Sequence, residues 1–210
     1  MLLRILIIVC AVLASSSVCA GVYDDMLNAI KLNNVPTVEA LFARGMDVNT
    51  TDADGNTLLM IAIQAGNMDM AARMVKHGAE LGARNRYGET ALMLAAAKGN
   101  LALVKMLVVE GAKINLAGWN PLIYAAWAGK TDIVSYLLRH GADIDAVSPS
   151  GVSALMMAVR GGHYDTVKLL LWEVADPNIK SQSGATALSW ALKSRNTDIA
   201  ALLKQAGAKD

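Results

Sequence analysis

The chain has 210 residues, 54% of them hydrophobic and 18% charged, which is too apolar for a disordered chain and long enough for one or two domains. Its 19 basic residues stand against 18 acidic ones, so no overall field draws it to nucleic acid or anionic lipid, and any basic patch must be local. Two cysteines and three histidines leave little for a disulfide framework or a metal cluster.

Met1 to Ala20, MLLRILIIVCAVLASSSVCA, has a short basic start at Arg4, an apolar run of ten residues from Ile5 to Ala14, and small residues leading to Val18-Cys19-Ala20. This pattern predicts a secretory signal peptide cleaved after Ala20. An uncleaved amino-terminal anchor is the alternative, although the run is well short of the roughly 20 residues a spanning helix needs. Lipidation of Cys19 fits less well, because Ser16-Ser17-Val18 is a poor lead-in. Cys10 and Cys19 both fall in the leader, so the expected mature chain has no thiol, and without Arg4 its formal charge is zero.

From residue 23 onward the chain repeats. Gly55, Gly88, Gly118, Gly151 and Gly184 are spaced 33, 30, 33 and 33 residues apart. The series Gly45, Gly78, Gly111, Gly141, Val174 and Gly207 has the same period and the same short interval. Internal repeats of this length indicate a solenoid. The spacing predicts units at about 23–50, 54–83, 87–115, 117–146, 150–179 and 183–210, in a single domain over 21–210.

Gly88 to Asn115, GETALMLAAAKGNLALVKMLVVEGAKIN, decodes one unit. Thr90 is placed as an N-cap. Leu92, Leu94 and Ala95 to Ala97 make a short first helix with a small-residue face. Gly99-Asn100 turns the chain, and Leu101 to Val109 is a second helix with apolar positions at 103, 104, 107 and 108. Gly111 sits where a helix ends in a left-handed residue, and the tail past Asn115 suits a turn or hairpin.

Thr90-Ala91-Leu92-Met93-Leu94-Ala95 resembles the T-P-L-H-x-A signature of ankyrin repeats, and Leu107 to Asn115 looks like their L-L-x-x-G-A-x-x-N ending. Comparable signatures begin at Thr57, Asn120, Ser153 and Thr186. The first unit, Tyr23 to Asn49, lacks the signature but keeps the ending. The resemblance covers essentially all of the expected mature chain and implies an all-α solenoid of about six helix-turn-helix units with short hairpin-like connections. Polar or charged residues in the first and last units, Asp24, Asp25, Lys31 and Glu39, then Lys193, Arg195, Asp198, Lys204 and Lys209-Asp210, suit capping repeats.

Two departures from the family pattern carry expectations. The signature histidine, which in the family links loops of adjacent repeats, is Met60, Met93, Ile123, Met156 and Ser189 here, so packing of flexible thioethers is expected to replace that linkage. Met-substituted signatures look like those of exported bacterial ankyrin proteins, in keeping with the leader. Val174 stands where the other units have glycine. A left-handed β-branched residue is strained by about 1–2 kcal/mol, so a different turn conformation is expected there.

Little in the chain suggests catalysis. Gly129-Lys130-Thr131 echoes a phosphate-binding loop, but the pattern needs a glycine at position 124, which is tyrosine, and Gly129 is in register with the turn glycines Gly66 and Gly99. His77, His140 and His163 recur because the unit recurs and lie a repeat or more apart. His77 and His140 precede helix-ending glycines, where a positive charge suits the helix dipole. Asp47, Asp143 and Asp176 share one place in the unit and read as turn residues. The ten methionines beyond Met1 sit mostly at core positions, so packing accounts for them better than oxidant scavenging. No G-x-S-x-G elbow, H-E-x-x-H or cysteine nucleophile occurs in the expected mature chain. No enzyme activity, metal or cofactor is therefore expected.

The resemblance implies protein binding on a concave face, with partner-reading positions beside the first glycine and at the end of the first helix. Carried over by position these are Asp54, Asn56 and Gln64; then Arg86, Tyr87, Glu89 and Lys98; then Trp119 and Trp127 in the short unit; then Arg160 and Lys193. The strongest candidates are Arg86, Tyr87, Glu89, Lys98, Trp119, Trp127 and Arg160, because Trp, Tyr and Arg dominate binding hot spots. Leu122 and Tyr124 are read as inward-pointing and Trp190, aligned with Tyr124, as core. Two readings of Trp119 stay open: an exposed anchor, or a filler folded into the space three missing residues leave.

The functions implied are a rigid monomeric adaptor for another exported or periplasmic protein, an immunity protein or chaperone for a periplasmic enzyme or toxin, or a structural or envelope-stress protein without one tight partner. A nucleic-acid partner is not expected, nor a membrane after the leader is removed.

Overall fold

The computed structural model describes the backbone of residues 15–209 and the side chains of residues 21–209. The leader, including both cysteines, lies outside the described residues apart from the backbone of 15–20, which begins the first helix. The described residues form twelve helices in six antiparallel pairs: α1 (Ser15–Lys31) with α2 (Val35–Ala43), α3 (Leu58–Gln64) with α4 (Met68–Lys76), α5 (Ala91–Lys98) with α6 (Leu101–Val109), α7 (Pro121–Trp127) with α8 (Thr131–Arg139), α9 (Ala154–Gly161) with α10 (Tyr164–Trp172), and α11 (Ala187–Lys193) with α12 (Thr197–Gln205). Apart from two isolated antiparallel bridges, Thr51 with Thr57 and Val147 with Ser153, these residues form no β-structure.

Each inner helix after the first starts in the same way. Thr57, Thr90, Asn120, Ser153 and Thr186 hold extended backbone, and their side chains accept from the amides of Met60, Met93, Ile123, Met156 and Ser189. One free donor of the first turn is thereby satisfied. In the last unit Ser189 returns the bond to the Thr186 amide, completing a capping box. The leucine two places after each cap (Leu59, Leu92, Leu122, Leu155 and Leu188) is no more than 2% exposed. Burial of such a side chain stabilises by about 1.5–3 kcal/mol, and here the burying surface comes from neighbouring units.

Small residues set the curvature. Ala62, Ala95, Ala125, Ala158 and Ala191 share one register and are all fully buried. They let the inner helices α3, α5, α7, α9 and α11 approach more closely than the outer helices α4, α6, α8, α10 and α12 do. A stack tighter on one side bends toward that side, so the inner helices line the hollow.

Val174 corrects the sequence expectation. Its φ is 66°, the same left-handed turn as Gly141 at 84° and Gly207 at 87°. The Val174 amide donates to the Leu171 carbonyl at 3.1 Å and the Ala175 amide to Leu170 at 3.0 Å, as Gly141 and Ala142 do in the preceding unit. The stacked unit holds the turn and the valine bears the strain. Its side chain is 81% exposed, so only the backbone conformation is penalised.

The linkage between units also differs from expectation. Met60, Met93 and Met156 are buried as foreseen, but side-chain to backbone hydrogen bonds do much of the linking. Asn49, Asn115, Asp145 and Asn178, each four residues past the helix-ending position, accept from the amides of Glu80, Asp143, Asp176 and Lys209 in the following unit, at 2.8–2.9 Å. Gly82 stands in this register in the second unit and supplies no acceptor, so no such bond reaches Lys113. That boundary is tied at the turn tips instead, by Asn85 Nδ2 donating to Asn56 Oδ1 at 2.9 Å and the Arg86 amide to the Asp54 carbonyl at 2.9 Å.

Candidate functional site

Four tips keep a closed turn: the amides of Asp52, Asn85, Ser148 and Ser181 donate to the carbonyls of Asn56, Glu89, Val152 and Ala185. The short tip, Leu116 to Trp119, makes no such bond, and Gly118 packs on Pro149 instead. Tip-to-tip backbone bonds join the second unit to the third (Arg86 to Asp54) and the fifth to the sixth (Gln182 to Ser150, 2.9 Å); none involves the short tip between them.

The candidate site draws on three registers: the residue before the cap, and those four and seven after it. In the short unit these are Trp119, Tyr124 and Trp127. Together with Ile123 and with Met157 of the next inner helix they line an apolar pocket of about 190 Å³. The six-membered and indole rings of Tyr124 and Trp119 meet edge-on, 6.0 Å between centroids at 86°, a favourable arrangement for two aromatic rings. Trp119 is half-buried against the core while Trp127 is 52% exposed. Trp119 is thus filler and pocket wall at once, and Trp127 is the open side.

Tyr124, read from the sequence as inward-pointing, is only partly buried. It lines the pocket and donates its phenol proton to Glu89 Oε1 at 2.9 Å. Burial, then this hydrogen bond and the Glu89 charge, push its phenol above the ordinary range. Trp190 is likewise half-buried rather than core, with the Arg160 guanidinium 5.9 Å from its ring centroid. Arg160, Trp190, Lys193 and Ser194 line a second open hollow of about 320 Å³.

The remaining candidates divide by what already holds them. Asn56 is only 6% exposed and bonds Asp52, Asn85 and Gln64, so it is a linker rather than a partner-reading residue. Glu89 accepts from both Asn85 and Tyr124 and buttresses the pocket wall. Arg86 is exposed but engaged, 2.7 Å from Asp54 and bonded to the Tyr87 hydroxyl, with its guanidinium 5.1 Å from that ring. Tyr87 is 61% exposed, and Lys98 is exposed at the end of α5. These two are a unit away from the Trp pair and do not line its pocket. Sequence reasoning missed Ile123 and Met157. Met157 stands in the register of Tyr124, so superimposing the units was the signal that could have found it.

Each histidine has a partner: His140 bonds the Tyr136 carbonyl within its own unit, while His77 bonds Glu39 at 2.9 Å and His163 the Trp127 carbonyl in the preceding units. Among the described residues no group of three or more His, Cys, Asp or Glu is disposed to hold a metal ion, and no helix is long and apolar enough to cross a membrane.

The family model for ankyrin repeats (three copies) matches residues 26–117, 78–148, 93–181 and 122–210. The chain belongs to the ankyrin repeat family. Among solved structures it is similar to an ankyrin repeat domain from Acinetobacter baumannii AYE, at 28% identity and a TM-score of 0.74, covering 88% of this chain and 98% of that one. It is also similar to the human ASB11 ankyrin repeat domain, at 26% identity and a TM-score of 0.79, covering 88% and 84%. No curated protein matches the chain. Ankyrin repeat domains generally mediate protein–protein interaction, and the fold is typically a non-enzymatic scaffold.

Proposed function

We propose that this chain is an exported scaffold of the bacterial periplasm that holds a partner protein in its hollow, anchored at the short fourth unit. The single observation behind the anchor is an open apolar pocket whose outer wall, Trp127, is 52% exposed inside the concave face. An exposed tryptophan beside an unfilled apolar pocket is the usual form of a binding hot spot, worth about 2 kcal/mol or more when truncated. The leader MLLRILIIVCAVLASSSVCA supports export, and a mature chain without thiols suits a compartment where thiols oxidise.

The test is recovery of partners from a periplasmic extract by the mature chain, by a Trp119→Ala/Trp127→Ala variant and by Trp172→Ala. Trp172 is 83% exposed at the end of the outer helix α10, so it controls for tryptophan loss outside the hollow. A protein recovered by wild type and Trp172→Ala but not by the double variant supports the reading. Equal recovery by all three removes it.

A further inference from the structure

Charge is segregated within this nearly neutral chain. The inner helices α5, α7, α9 and α11 with the turns that follow them, residues 91–100, 121–130, 154–163 and 187–196, carry Lys98, Lys130, Arg160, Lys193 and Arg195 and no carboxylate. In units four to six the described carboxylates, Asp132, Asp143, Asp145, Asp165, Glu173, Asp176 and Asp198, all lie on the outer helices or the chain leaving them. The ion pairs among the described residues join Glu39 to Arg73 and His77 and Asp54 to Arg86; Arg160 and Lys193 join none. Arg160 is nonetheless positioned, resting over Trp190 with its N–H groups open to the hollow between α9 and α11. A stacked guanidinium loses less freedom on meeting a carboxylate than a mobile one.

The two hollows are consecutive. Met157 closes the apolar pocket on one side and Arg160, one helical turn on, opens the cationic one. Adjacent inner helices lie about 10 Å apart, and an extended chain in the polyproline II form advances about 3.1 Å per residue and returns a side chain to the same face every third residue. A segment laid across the hollow therefore brings one side chain to the apolar pocket and another, about three residues away, to Arg160 and Lys193.

Resting on the proposed concave-face reading, we propose that the partner is recognised through an extended, acidic peptide segment: a large apolar side chain seated between Trp119 and Trp127, and a carboxylate about three residues away held by Arg160 and Lys193. Nucleic acid fits less well. The inner helices and following turns of units three to six present one or two cations each, and those of the second unit none, rather than the dense row that tracks a phosphate backbone.

The experiment is selection of a random peptide library on immobilised mature chain, run in parallel on Arg160→Glu/Lys193→Glu and on Trp127→Ala, with folding of each checked by circular dichroism. The substituted side chains are exposed, so the helical spectrum is expected to be unchanged. Wild type is expected to enrich peptides pairing a large apolar residue with Asp or Glu three positions away, and the charge-reversed variant to enrich Lys or Arg there instead. A selected acidic peptide, fluorescently labelled, should bind the charge-reversed variant at least about tenfold more weakly. Acidic enrichment that survives charge reversal, or none on wild type, overturns the carboxylate assignment while leaving the pocket. An unchanged peptide pool on Trp127→Ala sinks the pocket and with it the proposed function. A labelled single-stranded oligonucleotide that outcompetes the selected peptides at physiological salt overturns the choice of a protein partner.

Discussion

Tyr124 donates its phenol proton to Glu89 Oε1 at 2.9 Å across the boundary where the short unit begins, and the same carboxylate accepts from Asn85 Nδ2 at 2.8 Å through Oε2. A chain of side-chain bonds thus runs from Asn56 through Asn85 and Glu89 to the wall of the Trp pocket. Tyr124→Phe keeps the ring in the pocket and removes the last bond. The hydrogen bond is partly exposed, so its loss is expected to cost about 1 kcal/mol, a fall of about 2–4 °C in melting temperature for a chain of this size.

The same bond has a pH signature. The folded-state pKa of Tyr124 lies above the unfolded phenol's 10.0, because burial and then donation to Glu89 favour the protonated form. Its contribution to stability is fully present below pH 10 and is lost as pH rises through the folded value. Burial likewise raises Tyr23. Ultraviolet titration of the native protein should show tyrosinate absorbance lagging behind that of the urea-unfolded chain above pH 10, and Tyr124→Phe should narrow the lag. Coincident curves would contradict the hydrogen-bonded, half-buried phenol.

Val174→Gly is expected to stabilise. It removes a left-handed β-branched residue, a relief of about 1–2 kcal/mol, against about 0.4–1 kcal/mol of added freedom in the unfolded chain. The side chain is 81% exposed and gives up little packing. Thermal melts should show a rise of a few degrees; a fall would mean that the valine makes contacts in solution that outweigh the strain.

The missing inter-unit bond at Gly82 invites repair. Gly82 has ordinary negative-φ backbone, and a Cβ built there meets nothing within 4 Å. Gly82→Asn should let its amide oxygen accept from the Lys113 N–H, as Asn115 does from Asp143 at 2.9 Å. The gain is about 0.5–1.5 kcal/mol, read as a higher urea midpoint and as slowed exchange of the Lys113 amide. Unchanged exchange at that amide would show that the bond does not form.

The two pocket tryptophans should separate in stability. Trp127→Ala removes a side chain that is 52% exposed and is expected to shift the melting temperature by no more than about 2 °C. Trp119→Ala removes a ring packed on the core and on Tyr124, and is expected to cost about 2 kcal/mol. Equal losses would mean that both rings pack alike, leaving no open side to the pocket.

The sequence by itself determined the period, the six helix pairs, every cap from Thr57 to Thr186 and the left-handed glycines, because caps and turns are satisfied within a few residues of themselves. The Trp pair in the short unit was visible for the same reason: an interval of 30 among intervals of 33 is local arithmetic. Only stacking decided the rest. Tyr124 meets Glu89 and Asn56 meets Asn85 across 35 and 29 residues, and Val174 keeps its strained turn because its unit is clamped between two others. Which side chains line a pocket, which are consumed as struts and which cations stay unpaired depend on how one slice lies against the next. That energy is shared between units and is written in no single one of them.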